Sequence, residues 1–124
     1  IVDEETANKA EKPDIAAMYI NRLRLGMPLQ ADPTVKFAVG DFTLRRIYHE
    51  HLKAQSPYNT YLNSGLTPGP ITNPSASAIR YALYPANTNY KYFVSADNGQ
   101  TFFAATKGEH DANIQTVKQL NDQK

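Results

Sequence analysis

Apolar residues recur at helical spacing in several segments of the chain, the first of them residues 13–25. Pro13 and Asp14 suit the first turn of a helix, and Gly26 suits its left-handed end. The apolar stripe between them consists of Ile15, Met18, Tyr19, Ile20 and Leu23. Further helices are predicted before Ala10, at 44–53, at 76–83 and at 109–120, with a turn-rich connector at 27–33.

Two stretches near the carboxyl end alternate with the period of a strand instead, at 90–96 and 101–105. The sequence Asp97-Asn98-Gly99 between them is typical of a tight hairpin turn. Helices packed on a small antiparallel sheet make an α+β fold. A chain of 124 residues is long enough for one hydrophobic core and too short for two, so a single α+β domain spanning 1–124 is predicted.

One long segment interrupts this pattern: residues 54–79 carry no charge and are rich in Pro, Gly, Asn, Ser and Thr. The segment also holds Tyr58 and Tyr61, which a flexible linker does not need. It is either a proline-stiffened loop whose tyrosine rings lie in the core, or one wall of a site for a neutral sugar polymer. The second interpretation rests on tyrosine rings stacking on sugars and on amides matching hydroxyl and acetamido groups.

Composition and charge exclude several classes of function. The formal net charge is +1 with acids and bases scattered, which leaves no basic surface for nucleic acid. There is no cysteine, which excludes disulfides, thiol catalysis and cysteine zinc sites and suits an extracytoplasmic protein. The chain begins Ile1-Val2-Asp3 and has no apolar run near 18 residues, so we expect part of a longer protein whose membrane anchor lies outside it.

No metal or organic cofactor is predicted. His49-Glu50-His51 superficially resembles a metal cluster, but alternate residues of a helix point apart and no third ligand is apparent. No glycine loop for phosphate and no nucleophilic-serine motif is present.

Two groups of carboxylates are candidates for chemistry. Asp3-Glu4-Glu5 is a solvated helix surface in one interpretation; in the other, one carboxyl faces inward and its raised pKa makes it a general acid. Neighbouring side chains on a helix diverge by about 100°, so at most one or two of the three share a face. Asp32, before Pro33, is either a turn former or a group that orients a ligand or the catalytic acid.

Several motifs follow one another in a specific order: IVDEET at 1–6, NRLRLGMPLQADPTV at 21–35, YNTY at 58–61, GLTPGPI at 65–71, NP at 73–74, YFV at 92–94 and EH at 109–110. In this order and spacing the chain resembles the endolytic murein transglycosylase (YceG-like) family over nearly its whole length. It departs from the family pattern at four positions: Asp3 and Glu4 replace Glu and Lys, Thr67 replaces a usual Pro, and Gln100 replaces a frequent His.

The resemblance implies that Glu5 is the catalytic residue, because it matches the second glutamate of the opening motif. Asp3 and Glu4 are then expected to face solvent. Residues 58–73 are expected to form one wall of a long glycan groove opposite Glu5. The residues expected to orient Glu5 or to bind sugars are Asn21, Gln30, Asp32, Tyr58, Asn59, Thr60, Tyr61 and Asn73.

The implied activity is that of a lytic transglycosylase, which cleaves the MurNAc–GlcNAc β-1,4 bond inside peptidoglycan strands and leaves 1,6-anhydro-MurNAc. Such enzymes are linked to ending nascent strands beside the peptidoglycan synthases, at the outer face of the bacterial cytoplasmic membrane. The expected partners are therefore peptidoglycan strands and possible synthases. A catalytically silent glycan-binding module is the alternative, and a peptide-binding domain is poorly supported because the loop has no anchoring cluster.

Overall fold

A computed structural model gives the structure of the protein and describes residues 1–6, 9–41, 43–44 and 47–122. Its two strands, β1 (Tyr92–Ser95) and β2 (Thr101–Ala104), pair antiparallel. The α-helices of the described residues are α1 (Val2–Glu5), α2 (Lys12–Arg24), α3 (Asp32–Val39), α4 (Ala76–Leu83) and α5 (Lys107–Asp122). Helices packed on a small antiparallel sheet make this the α+β fold that the sequence predicts.

Most of the predicted elements are confirmed to within a few residues. Helix α2 has a proline in its first turn, and Gly26 beyond its end adopts a φ of 69°. Helix α4 is capped by Ser75, whose hydroxyl accepts a hydrogen bond from the backbone N–H of Ala78 at 3.1 Å. The hairpin turns at Gly99, which has a φ of 92°. Local sequence signals are therefore sufficient for these elements.

Two segments differ from the sequence prediction. Helix α3 is not predicted, yet it begins at Asp32 with Pro33 in the first turn. A proline is tolerated there, because the backbone N–H groups of a first turn have no partner within the helix. Within the predicted helix 44–53, Arg45 and Arg46 lie outside the described residues, and the described remainder contains a short 3-10 helix, His51–Lys53. That part of the prediction is wrong: the described residues 47–50 form turns and irregular backbone, so the apolar spacing of the segment does not produce an α-helix there.

Helix α2 runs through the hydrophobic core. Its residues Ile15 and Met18 are almost fully buried, and Tyr19 beside them meets Phe93 of β1 edge to face, with ring centroids 6.5 Å apart. Val2 packs against the same cluster, so the one-turn helix α1 lies on α2. Helix α5 covers the hairpin and buries Val117. No helix in the described ranges combines the length and apolarity needed to cross a membrane.

The charge-free segment is anchored by buried polar side chains, of which Asn59 is the first. Its side chain is fully buried. Its amide nitrogen donates to the backbone carbonyls of Leu52 and Ala54, at 3.0 Å each, and its amide oxygen accepts from the backbone N–H of Tyr61 at 2.9 Å. One side chain thus joins the end of the 3-10 helix to residues 54–61, which contain no helix or strand.

Thr60 anchors the same segment to the start of α3. It is about as buried as Asn59, and its hydroxyl accepts from the backbone N–H of Ala31 at 2.9 Å. The same hydroxyl shares a hydrogen bond with the hydroxyl of Thr34 at 2.8 Å. Because buried polar groups must be paired to be stable, these contacts specify one position for the segment.

We expect Asn59→Ala to lower the free energy of unfolding by about 2–4 kcal/mol, because it leaves two carbonyls and one N–H, all partly buried, without that partner. The matched control is Asn73→Ala in the same segment, where the side chain is exposed and the change should stay within about 0.5 kcal/mol. Chemical denaturation of both variants measures the difference. Equal effects would show that the hydrogen bonds of Asn59 contribute nothing particular to stability.

Candidate active site

Glu5 is the last residue of α1 and lies partly buried against α2. The hydroxyl of Tyr19 donates a hydrogen bond to Oε1 of Glu5 at 2.6 Å. Burial raises the pKa of Glu5 from its ordinary 4.5 to about 7, and the negative charge of Asp32 adds to the rise. The Tyr19 hydrogen bond and the positive charges of Lys36 and the Ile1 amine oppose it without cancelling it. Near neutral pH, the protonated and the ionised form of the carboxyl are therefore both populated.

Burial beside Glu5 also raises the pKa of Tyr19 well above its ordinary value of 10. The phenol consequently keeps its proton and remains a hydrogen-bond donor at any physiological pH. This donor fixes one oxygen of the Glu5 carboxyl and leaves the other to carry the exchangeable proton.

A cleft of about 640 Å³ opens beside Glu5. Its walls come from α1, α2, α3, β1 and α5, from Leu29 and Gln30 in the connector before α3, and from one residue of the charge-free segment, Tyr61. The polar and charged side chains in these walls, apart from Glu5, include Arg22, Gln30, Asp32, Lys36, Tyr61 and His110. The described residues contain no group of three or more His, Cys, Asp or Glu side chains able to hold a metal ion.

Five of the residues singled out in the sequence meet in this cleft: Glu4, Glu5, Gln30, Asp32 and Tyr61. The hydroxyl of Tyr61 donates to Oδ1 of Asp32 at 2.6 Å. Burial is the main cause that raises the pKa of Tyr61 well above its ordinary value, and the hydrogen bond to Asp32 is the second. Gln30 adopts a φ of 49°, in the left-handed region that is uncommon for residues other than glycine, which places it on the rim before α3. Asp32 is thus a helix-starting residue and a cleft residue at once.

Asn21 and Tyr58 do not line the cleft. The side-chain amide of Asn21 donates to the backbone carbonyls of Thr88 and Tyr90, at 2.9 and 2.8 Å, and so ties α2 to the approach of β1. The ring of Tyr58 packs against Phe37 of α3, with centroids 4.6 Å apart. Both side chains hold elements together in this structure.

The other predicted sugar-binding residues are also away from the cleft. Asn59 and Thr60 are buried in the anchors described above, directly before Tyr61. Asn73 is exposed, and its neighbours Thr72 and Pro74 line a separate, largely apolar cavity of about 380 Å³. Of residues 58–73, Tyr61 is the one that lines the Glu5 cleft.

The expectation for the two acids beside Glu5 is right for one of them. Glu4 is exposed, as expected. Asp3 is not: its side chain is 17% exposed, it pairs with Lys12 at 2.8 Å, and it accepts hydrogen bonds from the backbone N–H and the hydroxyl of Ser75. The Lys12 contact and the Ser75 N–H are the main causes that lower the pKa of Asp3 to about 2. The prediction for Asp3 is wrong because its partners are remote in sequence.

Sequence reasoning missed several residues of the cleft, and Tyr19 is the clearest case. It stands in the apolar stripe of α2, yet a buried tyrosine needs a partner for its hydroxyl, and that requirement was the available signal. Arg22 shows no such signal. Its guanidinium donates to the carbonyls of Lys91 and Leu29 and lies 5.3 Å above the ring of Tyr92.

The chain is similar to known proteins over nearly its whole length. Positions 1–116 match the model of the YceG-like family. The endolytic murein transglycosylase of Bacillus subtilis (strain 168) is 46% identical over 111 residues, which are 90% of this chain and 31% of that protein. The endolytic murein transglycosylase of Streptococcus pneumoniae is 32% identical over 119 residues, 92% of this chain and 22% of that protein.

A crystal structure of a YceG-like protein from Listeria monocytogenes superposes with a TM-score of 0.77 at 42% identity. The match covers 80% of this chain and 32% of that structure. This chain therefore spans about a third or less of the length of each of these relatives.

The raised pKa of Glu5 predicts how stability depends on pH. As pH rises from 4.5 to about 7, the unfolded chain releases the Glu5 proton while the folded chain retains it, so the free energy of unfolding falls. We expect this loss to reach at most about 3 kcal/mol above pH 7. Glu5→Gln cannot ionise and should escape it, becoming the more stable of the two proteins at pH 8.

Chemical denaturation of both proteins at pH 5 and pH 8 measures the effect. The difference between them isolates Glu5, because His110 and the Ile1 amine, whose pKa values are lowered by burial, are common to both. If the difference in stability is the same at both pH values, Glu5 titrates as an ordinary exposed carboxyl.

Proposed function

This chain belongs to the YceG-like family, and from that premise we propose that it is the catalytic part of a lytic transglycosylase. The proposed reaction cleaves the MurNAc–GlcNAc β-1,4 bond within peptidoglycan strands. The observation that carries the proposal is the carboxyl of Glu5, which borders a 640 Å³ cleft and has its pKa raised by burial to about 7. A general acid–base group works best when its pKa lies near the operating pH.

In the first step Glu5 is the acid. Its Oε1 is occupied by the Tyr19 hydroxyl, so Oε2 carries the proton and gives it to the glycosidic oxygen. The bond between that oxygen and C1 of MurNAc breaks, and the leaving GlcNAc departs with a hydroxyl. Positive charge develops at C1, and the acetamido group of the same sugar assists as an internal nucleophile.

In the second step Glu5 is the base. The carboxylate left by the first step removes the proton from the C6 hydroxyl of MurNAc, and the C6 oxygen forms a bond to C1. The product is a 1,6-anhydro ring, no water is consumed, and Glu5 returns to its protonated form. A pKa near 7 suits both steps, since neither form of the carboxyl is strongly disfavoured.

Asp32 has a supporting role in this proposal. Most glycosidases use two carboxylates, the second as base or nucleophile. Here Asp32 accepts the hydroxyl of Tyr61 at 2.6 Å, which occupies one of its oxygens, and its charge helps to keep the proton on Glu5. It therefore acts through Glu5 and orients sugar hydroxyls beside Tyr61 and Gln30.

The residues expected to bind sugar divide into two groups under the proposal. Gln30, Asp32 and Tyr61 contact the glycan, because they line the cleft with Glu5. The other four, Asn21, Tyr58, Asn59 and Thr60, do not contact the glycan and instead hold the surrounding elements in place. Asn73 lies on the segment that borders the apolar cavity and belongs to a distant part of the glycan path.

The cellular part of the proposal follows from the family and the reaction. An enzyme that cuts inside glycan strands at the outer face of the cytoplasmic membrane ends the growth of nascent strands. It then works beside peptidoglycan synthases and is held there by a membrane anchor outside this chain. No metal or organic cofactor takes part, because the acid–base residue and the substrate hydroxyl supply every atom and proton of the reaction.

We expect Glu5→Gln in the full-length protein to fold and to lose at least about 10²–10⁴ in rate, because glutamine can neither give nor take the proton. Glu4→Gln is the matched control: Glu4 also borders the cleft but is exposed, so this variant should retain most activity. Mass spectrometry of digested peptidoglycan should find 1,6-anhydro-MurNAc ends from the parent enzyme.

Other outcomes separate the alternatives. Reducing ends, with Asp32→Asn as inactive as Glu5→Gln, would identify a two-carboxylate hydrolase. Glycan binding by the parent without any cleavage would identify a catalytically silent binding module.

The two tyrosines of the charge-free segment should respond differently to substitution. Tyr61→Ala should weaken binding of glycan strands by about 1–3 kcal/mol, by analogy with aromatic stacking on bases, because its ring lines the cleft. Tyr58→Ala should leave binding by the folded protein nearly unchanged and lower the free energy of unfolding by roughly 1–3 kcal/mol, because its ring packs on Phe37. Thermal melts beside affinity measurements decide between them, and the reverse pattern would exchange the two roles.

A further inference from the structure

Helix α1 ends at Glu5, and the next residue, Thr6, has an extended backbone. The helix has one turn, Val2–Glu5, closed by backbone bonds from Glu5 to Ile1 at 3.0 Å and from Thr6 to Val2 at 3.3 Å. Because the helix ends at Glu5, contacts between this turn and the rest of the fold fix where the Glu5 carboxyl lies.

A polar cluster on the side of α1 away from Glu5 supplies such contacts. Asp3 pairs with the ammonium group of Lys12 at 2.8 Å and accepts the hydroxyl of Ser75 at 2.9 Å. Lys12 also donates to the hydroxyl of Ser77 at 3.2 Å. Ser75 at the same time caps α4, so the cluster joins α1, the start of α2 and the start of α4.

Helix geometry makes this cluster and the Tyr19 contact complementary. Asp3 and Glu5 are two residues apart, so their side chains leave α1 in nearly opposite directions. Their partners Lys12 and Tyr19 are seven residues apart on α2, which places both on one face, two turns from each other. The single turn is thus held from both sides by the same helix. Val2 adds apolar contact with the core between these two polar anchors.

We propose that Asp3 is a positioning residue for Glu5: its contacts with Lys12 and Ser75 set the rotation of α1 that keeps the Glu5 carboxyl in the cleft against Tyr19. This inference rests on the proposed function, in which Glu5 is the acid and base. Asp3 does not line the Glu5 cleft and does not touch Glu5, so its effect is transmitted through α1.

Asp3→Asn in the full-length protein is the direct test. Asparagine keeps the shape of the side chain, but it removes the charge that pairs with the largely buried Lys12 and turns one acceptor into a donor facing the Ser75 N–H. We expect kcat to fall by roughly 10- to 100-fold, as for other small misplacements of a reacting group, with KM nearly unchanged. Asp3→Glu keeps the charge and both acceptors and should retain most of the activity.

The titration midpoint of Glu5 is a second measurement, which would not change if the Asp3–Lys12 salt bridge only stabilised the fold. In full-length protein carrying ¹³C-labelled glutamate, the carboxyl signal absent from Glu5→Gln identifies Glu5. Its midpoint should be near 7 in the parent and lower in Asp3→Asn, because a rotated α1 exposes the carboxyl to water. This measurement requires no cleavage, so an inactive parent would refute the proposed function and leave the positioning of Glu5 testable by itself.

Two further variants keep the test decisive. Lys12→Met keeps an unbranched apolar side chain of similar size in the buried position and removes only the charge. It should therefore reproduce the kcat loss and the lowered Glu5 midpoint even if Asp3→Asn proves unstable. Val117→Ala in α5 lowers the melting temperature far from α1 and should leave the Glu5 midpoint unchanged. Lower melting temperatures with parental kcat and midpoint in the Asp3 and Lys12 variants would overturn the proposal, as would an equal midpoint shift in Val117→Ala.

Discussion

The proposed site depends on one constraint: the carboxyl of Glu5 is largely shielded from water and still borders the cleft. The Tyr19 hydroxyl meets this constraint from the core side, with a hydrogen bond of 2.6 Å to one carboxyl oxygen. Removal from water disfavours the ionised form and raises the pKa to about 7. The same burial costs folding free energy at neutral pH, which the surrounding core must offset.

Helix α2 connects that core to the site. Its Ile15 and Met18 lie in the hydrophobic cluster. The polar groups of Lys12, Tyr19 and Arg22 on the same helix make hydrogen bonds to other elements. One rigid helix therefore sets the distance between the contacts that hold α1. A rigid element positions reacting groups more accurately than a loop does.

The charge-free segment has a related architectural role. It has little regular secondary structure, yet Asn59 and Thr60 are buried and fully engaged in hydrogen bonds. They place the next residue, Tyr61, in the cleft beside Asp32. Neutral polar residues suit this role, because paired amides and hydroxyls specify a position without the larger desolvation cost of a buried charge. The absence of charge in this segment thus reflects its interior as well as the neutral glycan proposed to lie against it.

By itself, the sequence determined what depends on local physics: the helical period of α2 and α5, the cap of α4, the hairpin at Gly99, and a motif order that singled out Glu5. It did not reveal α3, whose residues gave no recognised start signal beyond a turn-forming Asp-Pro. Tertiary structure alone decided which polar side chains face inward. Asp3 meets Ser75 across 72 positions, and Thr34 meets Thr60 across 26. A polar residue is stable on the surface or paired in the interior, and only the partner brought to it by the fold decides between the two.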